Sequence, residues 1–229
     1  MTPRDEAILD HATWSAITGP LAPLAVGDGD ARGFQPDVCS FTAVRDWHAP
    51  GVWDAIVDLV GPGGDFALPP AGVALPAGWE VTFTLDGVQL VETDRLETRP
   101  DDEAVELGAD DVPEMLGLVA LAQPGPFLPR TYLMGRYVGI RRGGALVAMA
   151  GERMHPVGWT EISAVATHPD HRGQGLAARL VRDVAHHIRE RGDGVYLHTT
   201  ATNPARALYA GLGFRLRQEL TFGSVRTPA

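Results

Sequence analysis

The stretch from Trp159 to Gly192, WTEISAVATHPDHRGQGLAARLVRDVAHHIRERG, holds the densest grouping of residues able to do chemistry in this chain. A strand-like apolar run enters a loop containing Gly173 and Gly175 and leaves as a helix whose Leu176, Leu180, Val184 and Ile188 share one apolar face. The first N–H groups of such a helix lack internal partners and face the positive end of its dipole, so phosphate oxygens suit them. Without β-carbons, Gly173 and Gly175 let the backbone approach those oxygens, and Arg172 adds a cationic fork. Within the preceding strand Glu161 is the lone carboxylate of an otherwise neutral run. That setting predicts a raised pKa and a group suited to accepting a proton.

Other chemistries fit less well. All 19 basic residues are Arg, so lysine Schiff-base chemistry and a P-loop NTPase are excluded. The single cysteine, Cys39, forms no internal disulfide and lies far from the rich segment. Gly173-Gln174-Gly175-Leu176-Ala177-Ala178 formally fits a dinucleotide fingerprint. However, His168 to Arg172 intervene after the strand, and the acid expected about 20 residues on falls before a strand instead of capping one. His168, His171, His186 and His187 have no companions that complete a metal ligand set, so no metal is expected. No G-x-S-x-G elbow is present around Ser163. Arg179, Arg182, Arg189 and Arg191 fall on the polar side of the helix, where solvation or cofactor phosphate explains them better than nucleic acid.

Read together, EISAVATHPDHRGQGLAARLV, VYLHTTATN and ARALYAGLGF resemble the GNAT superfamily of acyl-CoA N-acyltransferases over about residues 103–227. The resemblance implies acetyl-CoA as cosubstrate. Val165, Ala166 and Thr167 would offer backbone groups to the pantetheine arm, and Arg172, Gly173, Gln174, Gly175, Leu176, Ala177 and Ala178 would cradle the pyrophosphate. Asn203, with Thr202 as its alternate, and Arg206 would contact the cofactor. Tyr209 would protonate the departing thiolate, as a phenol of pKa near 10 can at neutral pH. Glu161 and His198 both match positions that carry a base in relatives. The expected reaction is direct attack of a primary amine on the thioester in a ternary complex. A non-catalytic acyl-CoA sensor or interaction module is the alternative.

The elements that position these residues read β-α-β-β-β-α-β-α-β from about Ala104 onward. The expected fold is α/β, a GNAT-like mixed, mostly antiparallel sheet with splayed central strands and flanking helices. A smaller α+β domain over 1–98 precedes the 99–229 domain, and the polar run 94–107 serves as the boundary. That first part reads as a helix near 5–17, a helix over 52–60, and two strands, 80–85 and 88–93, turned by Asp86-Gly87. It would wall the acceptor pocket, as a degenerate copy of the same fold or a substrate-side domain, or be a stabilising or homodimer surface. Of the net charge of −10, residues 1–98 hold 15 acids against 4 Arg, which argues against a nucleic-acid partner. No run reaches the roughly 18 apolar residues of a membrane span, and the acidic start is unlike a secretion signal. A cytoplasmic enzyme acting on a small-molecule or peptide amine is expected, without a membrane partner.

Overall fold

The structure is a computed structural model that describes residues 4–229. A 3-10 turn, Glu6–His11, runs into α1 (Ala12–Thr18). The small antiparallel sheet β1 (Ala25–Val26), β2 (Ala31–Phe34) and β3 (Thr42–Val44) follows, then α2 (Val52–Val60), β4 (Asp65–Ala67) and β5 (Glu80–Glu92). Beyond these lie β6 (Val105–Leu107), α3 (Val112–Ala122), β7 (Tyr137–Arg142), β8 (Ala145–Glu152) and β9 (Trp159–Thr167). The chain finishes with α4 (Leu176–Glu190), β10 (Gly194–Thr200), α5 (Ala205–Leu212) and β11 (Phe214–Arg226).

Eight strands form one sheet in the order β4-β11-β5-β10-β9-β8-β7-β6. Every pairing is antiparallel except β9 with β10, whose connection through α4 is the crossover that parallel neighbours require. The fold is therefore the expected mixed, mostly antiparallel sheet flanked by helices. On α4 the residues Leu176, Leu180, Val184 and Ile188 are buried against Val147, Ala148, Ile162, Val195 and Leu197 of the sheet. The opposite face is covered by α3 on one side and by the opening turn and α1 on the other. The latter pack Leu9, Ala16 and Ile17 against Val91, Trp159 and Tyr196.

Two expectations fail here. Asp86-Gly87 is no turn, because β5 is one strand of 13 residues paired along this stretch with β10 on one side and β11 on the other. Long-range pairing overrides the local hairpin signal. Gly87 serves a different need, since a β-carbon there would lie 2.2 Å from Cε2 of Phe222. The division at 98–100 also does not separate two bodies. β5, from its amino-terminal side, is laid between β10 and β11. The polar run that suggested a linker is tied down instead: Leu96 is buried in the α4-side core, its carbonyl accepts from Arg189, and Asp101 pairs with Arg179. The short strands β1 to β3 escaped sequence reading. Among the described residues no helix is long and apolar enough to cross a membrane.

Candidate active site

β9 and β10 pair from Trp159 opposite Gly194 to Ile162 opposite Leu197, and there the ladder stops. Beyond it, β9 bulges against β8: Met149 faces Ala166 and Gly151 faces Ser163, so two residues on β9 oppose one on β8. Ala164, within the bulge, takes a left-handed φ of 52°. Among the described residues no strand pairs with the β10-side edge of Ser163 to Thr167, so a ligand able to act as a β-partner meets free backbone groups at Val165 and Thr167, while Ala166 turns its own to Met149 of β8. Thr167 Oγ1 is buried without a partner among the described residues, while Ala166 packs toward α3 and Val165 toward α4.

The strand leads through a 3-10 turn, Pro169–His171, into the glycine loop. Gly173 and Gly175 have φ of 77° and 72°, left-handed values that other residues adopt at a cost. The first bond of the helix runs from Arg179 N–H to the Gly175 carbonyl at 3.1 Å. Ahead of it, the N–H groups from Gly173 to Ala178 find no acceptor among the described residues. Arg172, Gly173, Gln174 and Gly175 are exposed, and Arg172 makes no ion pair among the described residues. Leu176 is a core side chain, so only its N–H faces this mouth. A β-carbon at Gly173 or Gly175 would meet open space, so the glycines are needed for their backbone shape, and the space beside them stays clear for a ligand. Gly175→Val should therefore lower stability by about 1–2 kcal/mol, with Gly175→Asn milder. Calorimetry with coenzyme A should show at least tenfold weaker binding for the valine variant.

Several helix arginines expected near phosphate are used internally. Arg179 pairs with Asp101 and Glu103, Arg189 with Glu92, and Arg191 with Glu152. Asn203 is likewise engaged at both ends of its amide: it donates to Thr199 Oγ1 at 2.7 Å and accepts from Ala205 N–H at 2.9 Å in the turn that leads into α5. Arg206 donates to the Ala201 carbonyl at 2.6 Å. Tyr209 is buried in the α4-side core with its ring edge-on to Phe214, and burial pushes its phenol up to about 12. It therefore stays protonated across the neutral range. Cys39 is buried and its thiol is pushed up to about 11 by that burial, which leaves it un-ionised and a poor nucleophile.

The expectation for Glu161 needs correction. It is not a lone carboxylate: Arg153 donates Nε to Oε2 at 2.9 Å and a second nitrogen to Oε1 at 2.7 Å. Burial pushes the Glu161 carboxyl up. The Arg153 charge, its hydrogen bonds and those of His198 push harder the other way, so the group ends well below the usual carboxylate range. It holds a negative charge firmly and makes a weak base. His198 Nδ1 sits 2.7 Å from Glu161 Oε1, so the two candidates for the base are one assembly. Its place is telling: His198 follows Leu197, and Glu161 precedes Ile162, the last pair before the strands part. On the far side Gln89 of β5 lies 3.0 Å from His198 Nε2 and accepts from Arg217 at 2.8 Å. The rings of Phe222 and Tyr196 stand edge-on to the imidazole at 5.6 and 5.5 Å.

Arg153, Gln89 and Arg217 escaped the sequence reading. A signal for the first existed: a carboxylate buried on a central strand demands a cation, and Arg153 directly follows β8, the strand that pairs with it. The amino-terminal stretch also reaches the assembly. The Leu9 carbonyl faces Gln89, Asp10 holds Arg217, and the Phe41 ring lies 4.7 Å from the Arg153 guanidinium.

Residues 137–222 match the model of a family described as FR47-like protein. No curated protein matches the chain. Among solved structures, a GNAT-family protein from Novosphingobium aromaticivorans is 36% identical, with 97% of this chain and 99% of that chain covered and a TM-score of 0.86. A GCN5-related N-acetyltransferase from Kribbella flavida has the same fold at 20% identity, TM-score 0.61, with 95% of each chain covered.

Proposed function

Since the chain belongs to the GNAT superfamily of acyl-CoA N-acyltransferases, we propose that it moves an acetyl group from acetyl-CoA to a primary amine by direct attack in a ternary complex. The observation that carries this reading is the place of His198 and Glu161 at the vertex where β9 and β10 separate. The gap that would admit a thioester ends at a group able to take a proton.

In this reading the free N–H groups from Gly173 to Ala178, with Arg172, hold the diphosphate, and the open edge of β9 from Val165 to Thr167 lies along the pantetheine. His198 takes the proton that the amine loses as its nitrogen bonds to the acyl carbon, and Glu161 orients the imidazole and balances the charge. The carbon–sulfur bond breaks, and the Tyr209 phenol supplies the proton that the thiolate takes up. Asn203 and Arg206 then serve by shaping the start of α5, which carries Tyr209. The contacts of Leu9, Asp10 and Phe41 with the polar assembly favour an amino-terminal stretch that walls the acceptor side.

The test is thiol release from acetyl-CoA over a panel of amines. Turnover is expected with at least one amine, and Tyr209→Phe should lower kcat by about 10²-fold while acetyl-CoA still protects both proteins against heating. Protection without turnover on any amine would replace this reading with that of an acyl-CoA sensor.

A further inference from the structure

Resting on the reading of His198 as proton acceptor, we propose that Gln89 is a positioning residue that keeps the imidazole neutral at rest, and that Arg217, tethered to the opening turn by Asp10, sets it in that role. The proton positions follow from both ends of the chain of contacts. At one end Arg153 can only donate, so the Glu161 oxygens it grips at 2.9 and 2.7 Å are those of a carboxylate. The facing His198 Nδ1, 2.7 Å away, must then carry hydrogen. At the other end the Arg217 guanidinium, also a donor only, stands 2.8 Å from the Gln89 amide and selects its oxygen. The Leu9 carbonyl can only accept, and it faces the amide nitrogen at 3.4 Å.

Both neighbours thus turn the NH2 of Gln89 toward His198 Nε2 at 3.0 Å, which must be the unprotonated nitrogen. With hydrogen on Nδ1 and none on Nε2 the imidazole is neutral, and its one unshared pair accepts from Gln89, which must give up that bond as the amine's proton enters.

A proton arriving at Nε2 would set two donors face to face. Relief requires the amide to turn over and present Oε1, which brings its NH2 against Arg217. That guanidinium is anchored 2.6 Å from Asp10 and 3.7 Å from Glu6, so it resists. The charged groups acting on the imidazole are therefore Glu161 from β9, backed by Arg153, and Arg217 from β11, backed by Asp10 and Glu6. Glu161 favours the imidazolium, and the Arg217–Gln89 arm opposes it. The base is thereby kept empty until the amine arrives, and it is pressed to pass the proton on afterwards.

Two readouts on the full-length protein test this: titration of the His198 nitrogens by 15N NMR, assigned by difference from His198→Gln, and kcat/KM against pH. The parent should show the Nδ1–H tautomer. Arg217→Met, which frees the amide to turn, should move the His198 titration and the acidic limb of the profile together to higher pH by about one unit, tenfold in proton affinity. Gln89→Glu, which puts an acceptor opposite Nε2, should move them further, with melting curves checking that each variant folds. An Nε2–H tautomer in the parent, or an unmoved titration in Arg217→Met, overturns the proposal. If the titration moves and the acidic limb does not, the control of His198 by Gln89 stands, and the reading of His198 as proton acceptor falls.

Discussion

Arg153→Met should lower the melting temperature by roughly 6–20 °C at neutral pH, corresponding to about 3–5 kcal/mol in a chain of this length. The Arg153 side chain is 9% exposed and that of Glu161 1%, so water cannot replace the lost cation. The carboxylate would keep only the His198 contact. A double variant in which Glu161 also becomes leucine should regain most of the loss, because the expensive state is the unpaired charge and not the absence of the pair.

The pH dependence follows in sign. Glu161 titrates lower in the folded protein than in the unfolded chain, where its pKa is about 4.3. Its contribution is complete above that value and is lost as pH falls below it. Without Arg153, burial pushes the carboxyl up, and protonation relieves the unpaired charge. The gap in melting temperature between parent and Arg153→Met should then narrow from pH 7 to pH 3. Equal melting at neutral pH, or a constant gap, would contradict the assigned pairing.

His198→Gln should reduce kcat by about 10²-fold or more and leave the KM for acetyl-CoA nearly unchanged, because the loss falls on proton transfer and not on cofactor contacts. Its acidic limb in kcat against pH should disappear. Glu161→Gln keeps the imidazole, so it should lose less activity than His198→Gln, although it melts lower because Arg153 is left buried without a counter-charge. The opposite ranking, with Glu161→Gln the slower enzyme at equal folded fraction, would return the base to the glutamate. Steady-state thiol release with both variants decides between them.

Local pattern reached as far as local causes did. The helix over 176–190 was legible from its apolar spacing and the glycine loop, and the strand 159–167 from its composition, because in both the side chains seen in sequence are those that pack. The 52–60 helix was legible for the same reason. Asp86-Gly87 misled because turn chemistry is a local preference, and here β10 and β11 hold both residues extended. At the site, the phosphate-facing loop could be read from one segment. The partners of Glu161 could not, since Arg153, His198, Gln89 and Arg217 arrive from four different strands or their ends. A carboxylate's titration is set by what folding brings beside it, so the same residue looked like a base in the sequence and is a fixed anion in the structure.

The strand that lies between β10 and β11 has a bearing on how the protein is born. β5 leaves the ribosome before both of its neighbours, since β10 and β11 follow the whole stretch from β6 to α4. Until they arrive its edges are open, and Val81, Phe83 and Leu85, which stay exposed even in the folded protein, sit beside them. Such non-local pairing closes slowly, so a nascent chain keeps these edges open until β10 and β11 have emerged. A protease cut between Glu92 and Val105 after folding, in contrast, would leave β5 clasped on both sides and the sheet whole.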